Sequence, residues 1–231
     1  MLYKEEAVRA NIRNREGKRV FYLGKGDQLT SGARDWLRRE RIEILGAELA
    51  KPERYARLDG GYIEEKPEHM THLNAQILVP KTHPRIRFRG AMDTLEAELI
   101  LAQLAVPAEM GKQLGQILAL AREIIRCDVL EEPLKVDTLC GLDQKQLRDR
   151  SHRPQDFYGQ PHFMPAAVDG MGIAWVNRAR CAAREAEIRA AEAFSDREGN
   201  PTRLDLLRSM NRMSSMLYIL MIQMKADNAK K

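Results

Sequence analysis

The sequence predicts a mainly α protein, a four- or five-helix bundle carrying a small N-terminal α/β extension. Three observations carry this expectation. Beyond residue 81, apolar residues recur at every third or fourth position over most of the chain. The composition is 44% hydrophobic but only 6% aromatic, with 11 Met, which suits packed helices better than a β-sandwich or barrel. Before about residue 66 the pattern changes quickly, with short β-favouring runs stopped by glycine. The 231 residues therefore divide into an extension and linker over 1–66 and a bundle over 67–231. No internal repeat is visible.

Taken in order, residues 4–15 suit a short basic helix, and 20–23 form a β-favouring run ended by Gly24 and Gly26. Residues 30–41 read as a helix with Thr30 or Ser31 as N-cap and Ala33, Trp36 and Leu37 on one face. A second apolar run, 42–45, stops at Gly46, completing strand–helix–strand. Pro52, Gly60, Gly61 and Pro67 amid charge mark 51–68 as a linker. Met92, Leu95, Leu99, Ala102 and Val106 draw one apolar face along 89–106, and Pro107 ends it. Leu114, Ile117, Leu118, Ala121, Ile124 and Ile125 mark a second helix to about residue 129. The polar stretch 131–165, broken by Pro133, Pro154, Gly159 and Pro161, is a crossover with a helical patch near 144–150. A third long helix runs from about Ala166 or Ala174 to Phe194. The fourth begins after Pro201 and carries Leu207, Met210, Met213, Leu217, Leu220 and Met224 at heptad-like spacing.

Charge and cysteine usage narrow the function classes. The net charge is +5, and Lys81, Arg85, Arg87 and Arg89 supply +4 of it between residues 69 and 92, where no acid occurs. Cys127, Cys140 and Cys181 are few, odd in number and far apart, which excludes a disulfide scaffold and suits a reducing compartment. Residues 1–15 are charged and lack the apolar core of a secretory signal. No run approaches the ~18 apolar residues of a membrane span. The expectation is a soluble, cytoplasmic protein with no membrane partner.

Three clusters could carry chemistry. Asn177, Arg180, Arg184 and Glu187 fall at i, i+3, i+7 and i+10, so they share one helical face. One reading is a solvated stripe with an Arg–Glu pair; the other is an anion clamp, since guanidiniums on consecutive turns can grip phosphate by forked hydrogen bonds. Asn211-Arg212-Met213-Ser214-Ser215 interrupts the Leu/Met-rich fourth helix. Arg212 could pack its stem and keep its head in water, whereas an amide at Asn211, beside the apolar stripe, needs partners. The third cluster is a basic loop over 69–90. His69-x-x-His72 is a weak metal signal without cysteine nearby, and the loop lacks the aromatic interleaving and module signatures of nucleic-acid binders.

In this order, the clusters resemble the corrinoid (cobalamin) adenosyltransferases of the ethanolamine-utilisation type. The resemblance rests on Val79-Pro-Lys81-Thr-His-Pro84-Arg85-Ile86, Phe88-Arg-Gly90-Ala-Met-Asp93-Thr-Leu95, Ala179-Arg180-x-x-x-Arg184-Glu-Ala-Glu187 and Asn211-Arg212-Met-Ser214. It covers roughly residues 69–225, and Leu29-Thr-Ser-Gly-Ala-Arg34 is similar to the front extension of that type. The resemblance implies a cobalamin adenosyltransferase-like bundle that transfers the 5′-deoxyadenosyl group of ATP to cob(I)alamin and releases triphosphate. It implies that Lys81 and Thr71 contact phosphate, that Arg180 and Arg184 take phosphate and ribose, and that Arg180 and Arg184 are the catalytic pair. Glu187 would hold an arginine or the nucleoside, Asn211 would orient the nucleotide, and Arg212 would support it. Asp93 would sit near the corrin or in a subunit ion pair, and Phe157, with Tyr158 and Phe163, is a candidate for the corrin side by residue type. Mg²⁺ would ride on the triphosphate, held by nucleotide and water. The implied setting is a homo-oligomer, dimer or trimer, with a reductase or bacterial microcompartment as partner and no nucleic acid.

The sequence also departs from the family pattern. The Gly-rich phosphate tract before the lysine is reduced to Thr71-His-Leu-Asn-Ala75, Ser215 replaces an acid, and residues 46–80 lack the cysteines of a metal insertion. No metal ligands are therefore expected. The competing readings are a non-catalytic scaffold that binds cobalamin or a partner, and a basic helical nucleic-acid binder.

Overall fold

The front of the chain folds as the strand–helix–strand pattern requires. In the computed structural model, which describes residues 1–15, 17–47 and 54–229, β1 (Leu2–Tyr3) leads into α1 (Glu5–Ala10) and β2 (Arg13–Arg15). β3 (Lys18–Leu23), β4 (Gln28–Leu29), α2 (Ser31–Arg39) and β5 (Glu43–Gly46) follow. β3 and β5 run parallel, with Val20 opposite Glu43 and Leu23 opposite Gly46, so α2 is their crossover helix. Thr30 caps α2 by accepting the Ala33 N–H at 3.3 Å. The basic helix expected over 4–15 is shorter, because residues beyond Asn11 turn outward to pair with β3.

Residues expected to be a linker and loop form a four-stranded sheet instead. β6 (Tyr55–Arg57), β7 (Tyr62–Ile63), β8 (Met70–His72) and β9 (Ile77–Pro80) align in the order β7-β6-β9-β8. The glycines that suggested a linker are turn residues: Gly60, at φ 88°, lies between β6 and β7. Asn74 closes the β8–β9 turn by accepting from the Gln76 and Ile77 N–H groups at 3.1 and 3.0 Å. Pro52, the first of the expected linker residues, lies outside the described residues. The basic run is no loop either, since Arg85, Arg87 and Arg89 stand in the first turns of a helix.

The chain separates into two compact units, Met1–His83 with Asp128–Glu132, and Pro84–Cys127 with Pro133–Lys231. In the first, Val8, Phe21, Leu29, Ala33, Leu37 and Ile42 share a core that includes Leu130, whose carbonyl accepts from Asn14 Nδ2 at 3.3 Å.

The second unit is the helical bundle. α3 (Pro84–Leu104) and α4 (Ala108–Leu130) are separated at Pro107. The β10 (Thr138–Leu139) and β11 (Leu142–Asp143) hairpin leads into α5 (Gln144–His152) and α6 (Pro154–Tyr158), and the bundle closes with α7 (Met171–Ala193) and α8 (Leu204–Asn228). α7 packs against both α3 and α8. Leu95 and Leu99 of α3, Ile117 and Ile124 of α4, Val176 of α7, and Met213 and Leu217 of α8 are fully buried in one cluster. Close approach is needed at Gly172, where a Cβ would meet Met224 Cε at 2.5 Å and the Ala105 carbonyl at 3.0 Å.

The crossover is more ordered than its prolines suggest. Asp143 and Gln146 form a reciprocal capping box on α5, at 2.7 and 3.0 Å. Pro154 opens α6, Gly159 at φ 65° ends it, and both helices pack on α8. Leu134 N–H donates to Asp205 Oδ2 at 2.8 Å, which also accepts from Arg203 Nη2 at 2.9 Å. Just before α7, the buried Asp169 pairs with Lys225 of α8 and accepts the Ala166 N–H at 2.8 Å. These bonds, Lys225 first, hold the Asp169 carboxyl below the usual carboxylate range.

Leu95→Ala should cost about 2–5 kcal/mol of stability in urea titration, since it opens a cavity in a fully buried layer. Asp169→Asn should also destabilise the protein at neutral pH. A carboxyl with a lowered folded pKa stabilises fully above its unfolded value of about 3.9 and loses that contribution as pH falls through the folded value. The gap in denaturation midpoint between wild type and Asp169→Asn should therefore persist down to about pH 4 and shrink below it.

Candidate active site

The shared face expected on the third long helix is real. α7 carries Ala179, Ala183 and Ala186 on its buried side, and on the face that begins with Asn177 its Arg180, Arg184 and Glu187 line a cleft of about 620 Å³. Its second wall is Asn211, Ser214, Ser215 and Tyr218 of α8; the third is Ser151 and His152 at the end of α5, with His162. A volume of this size matches a pocket for one small ligand.

The two arginines are held differently. Arg180 donates Nε and Nη2 to Asn177 Oδ1, one turn earlier, at 3.1 and 2.9 Å. Its guanidinium also lies 6.0 Å from the centre of the Tyr218 ring. Arg184 is exposed and makes no hydrogen bond or ion pair among the described residues. The Arg184–Glu187 pair of the solvated-stripe reading does not form. Glu187 Oε1 instead accepts from Asn211 Nδ2 at 3.1 Å, so it holds neither arginine.

Asn211 is the hub of the α8 wall. Its Oδ1 accepts from Arg212 Nη2 at 2.5 Å, and its backbone carbonyl accepts from the Ser214 and Ser215 hydroxyls at 3.0 and 3.1 Å. An amide beside the apolar stripe thus has every polar end engaged, as burial demands. Arg212 turns away from the cleft to lie beside Leu139, Leu142 and Leu147. Burial first, then the nearby Arg148 charge, lowers its pKa, and Glu187 opposes them.

The remaining expected site residues are not among those lining this cleft. Thr71, half-buried on β8 opposite Val79, and Lys81, exposed just after β9, belong to the first unit. Asp93 is exposed on α3 and does not line the cleft. Phe157 is exposed on α6, outside the cleft, with the Arg150 and Arg153 guanidiniums 5.4 and 5.9 Å from its ring centre. His72 packs edge-on against Tyr55 at 5.3 Å. Among the described residues no group of three or more His, Cys, Asp or Glu could hold a metal.

Sequence reasoning missed His152, His162 and Tyr218. Tyr218 carried a usable signal, since it stands seven residues beyond Asn211 and so on the same helical face. The histidines carried none, because no periodicity relates either of them to α7 or α8. His162 places Nδ1 2.9 Å from the Tyr218 hydroxyl and Nε2 3.2 Å from the His152 carbonyl.

The cleft is thus a cationic, hydrogen-bonding site with one braced guanidinium, one open guanidinium and an oriented amide, suited to a phosphorylated nucleoside. The chain is 30% identical over 241 aligned residues to the corrinoid adenosyltransferase EutT of Salmonella typhimurium, spanning 94% of this chain and 90% of that protein. It is 34% identical over 160 residues to the corrinoid adenosyltransferase EutT of Escherichia coli, spanning 69% of this chain and 60% of that one. The cobalamin adenosyltransferase profile matches residues 61–224, a span that takes in both walls of arginine and amide, and the chain belongs to the cobalamin adenosyltransferase family.

Proposed function

We propose that this chain is an ATP:cob(I)alamin adenosyltransferase serving ethanolamine utilisation. It transfers the 5′-deoxyadenosyl group of ATP to reduced cobalamin. The observation that carries the proposal is the α7 face, where Arg180 and Arg184 front the cleft on consecutive turns while Asn211, tied to Glu187, faces them from α8.

The chemistry suits a site without a side-chain nucleophile. The electron pair of cobalt(I) forms the bond to C5′, and the C5′–O pair leaves with triphosphate. The protein must therefore orient ATP and neutralise charge on the leaving group. Arg184, unpaired in the cleft, is free to take a phosphate oxygen, and Arg180 offers the donors that Asn177 does not use. Asn211 orients the nucleoside, Glu187 fixes the Asn211 amide, and Arg212 supports Asn211 from behind. Lys81 and Thr71 supply further phosphate contacts, and Asp93 and Phe157 serve the corrin side or a subunit contact. The cleft presents one carboxylate, Glu187, already engaged, so Mg²⁺ accompanies ATP on phosphate oxygens and water. No helix among the described residues is long and apolar enough to cross a membrane. The proposed setting is a cytoplasmic homo-oligomer, dimer or trimer, working with a reductase or within a microcompartment.

Two outcomes follow. Arg184→Ala should lower adenosylation of chemically reduced cobalamin by about 10²–10³-fold or more, with helix content by circular dichroism unchanged. Full activity in that variant overturns the assignment, and wild-type protein that binds no ATP in calorimetry leaves a scaffold. Asn211→Ala should reduce kcat/KM for ATP by about 10–100-fold, because it removes the group tying Glu187 to Arg212. That loss is read by initial rates at saturating cobalamin.

A further inference from the structure

One imidazole in the cleft joins three elements. His162, between α6 and α7, reaches the backbone of His152 on α5 and the hydroxyl of Tyr218 on α8. A carbonyl can only accept, so Nε2 carries the proton, and in the neutral ring Nδ1 accepts from the Tyr218 hydroxyl. The two rings lie 12° from parallel with centres 5.8 Å apart. The Arg180 guanidinium lies over the same phenol ring, while Asn177 grips it only along the Nε–Nη2 edge.

We infer that His162 is a positioning residue for the adenosyl transfer: by tethering Tyr218 it fixes the surface on which Arg180 rests, and so aims that guanidinium at the phosphates. The inference rests on the reading of Arg180 as a phosphate ligand. His162 bonds to the Tyr218 hydroxyl and the His152 carbonyl, and Arg180 to Asn177, so the influence of His162 on Arg180 passes through the phenol ring. Its loss should cost little in folding. The imidazole is exposed, and the crossover is separately secured by α5 and α6 on α8 and by the Asp169–Lys225 pair.

The test uses the full chain with His162→Ala, His162→Gln, Tyr218→Phe and the double variant His162→Ala/Tyr218→Phe. Steady-state rates give KM for each substrate, and calorimetry gives ATP affinity independently of turnover. His162→Ala and Tyr218→Phe should each raise KM and Kd for ATP about five- to tenfold, with KM for cob(I)alamin and the melting temperature unchanged. The double variant should be no worse than the worse single, since both remove the same tether. Gln, which can accept from the phenol and donate to the carbonyl, should recover most of the loss. Unchanged ATP affinity, additive losses, or equal weakening toward both substrates would each overturn the positioning role. Wild-type protein that binds ATP but makes no adenosylcobalamin refutes the proposed reaction, and the ATP affinities of the variants still decide the role of His162.

Discussion

The cleft depends on how closely α7 can lie against its neighbours. Ala179, Ala183, Ala186 and Ala190 form the buried side of that helix over the turns that carry the arginines. Methyl groups there leave α3 and α8 near enough for Asn211 to reach Glu187 across the gap. Larger side chains would push the helices apart by more than a hydrogen bond can stretch. The small residues therefore do two things at once: they close the core on one face and set the width of the cleft on the other.

Polarity on α8 is subject to a similar constraint. Met210, Met213, Met216 and Leu217 are buried around the Asn211 turn, and methionine adapts its shape to irregular surroundings. An amide can sit beside such a stripe only when each of its polar ends is met. Here the carboxylate of Glu187 and the guanidinium of Arg212 meet the side chain, and two serine hydroxyls cover the carbonyl. The charge of Arg212 is thereby spent on holding the amide rather than on facing the cleft.

Much of this was legible in the sequence, for identifiable reasons. The long helices announce themselves because each buries one face at a 3.6-residue period, and the spacing of Asn177, Arg180, Arg184 and Glu187 fixes a common face whatever surrounds it. The sheet of β6 to β9 left no such trace. Its strands are two to four residues long, too short for alternation to stand out, and their turn glycines read as linker punctuation. The third wall of the cleft was also hidden. His162 lies outside any helix, ten residues after His152 and 56 before Tyr218, and its partners are a backbone carbonyl and a phenol that no helical spacing relates to it. Glu187 shows the converse limit, because helical spacing offered it Arg184 while the approach of α8 supplied Asn211.

The core of the first unit takes Leu130 from the end of α4, far along the chain from the rest of its residues. That gives the molecule an order of assembly. During synthesis the N-terminal strands and α2 emerge early, yet their apolar interior stays one residue short until α3 and nearly all of α4 have followed. The unit is a domain by contact but not by contiguity, so a fragment cut at its boundary would carry an unfilled core. The first unit is finished only when the chain has been made as far as Leu130.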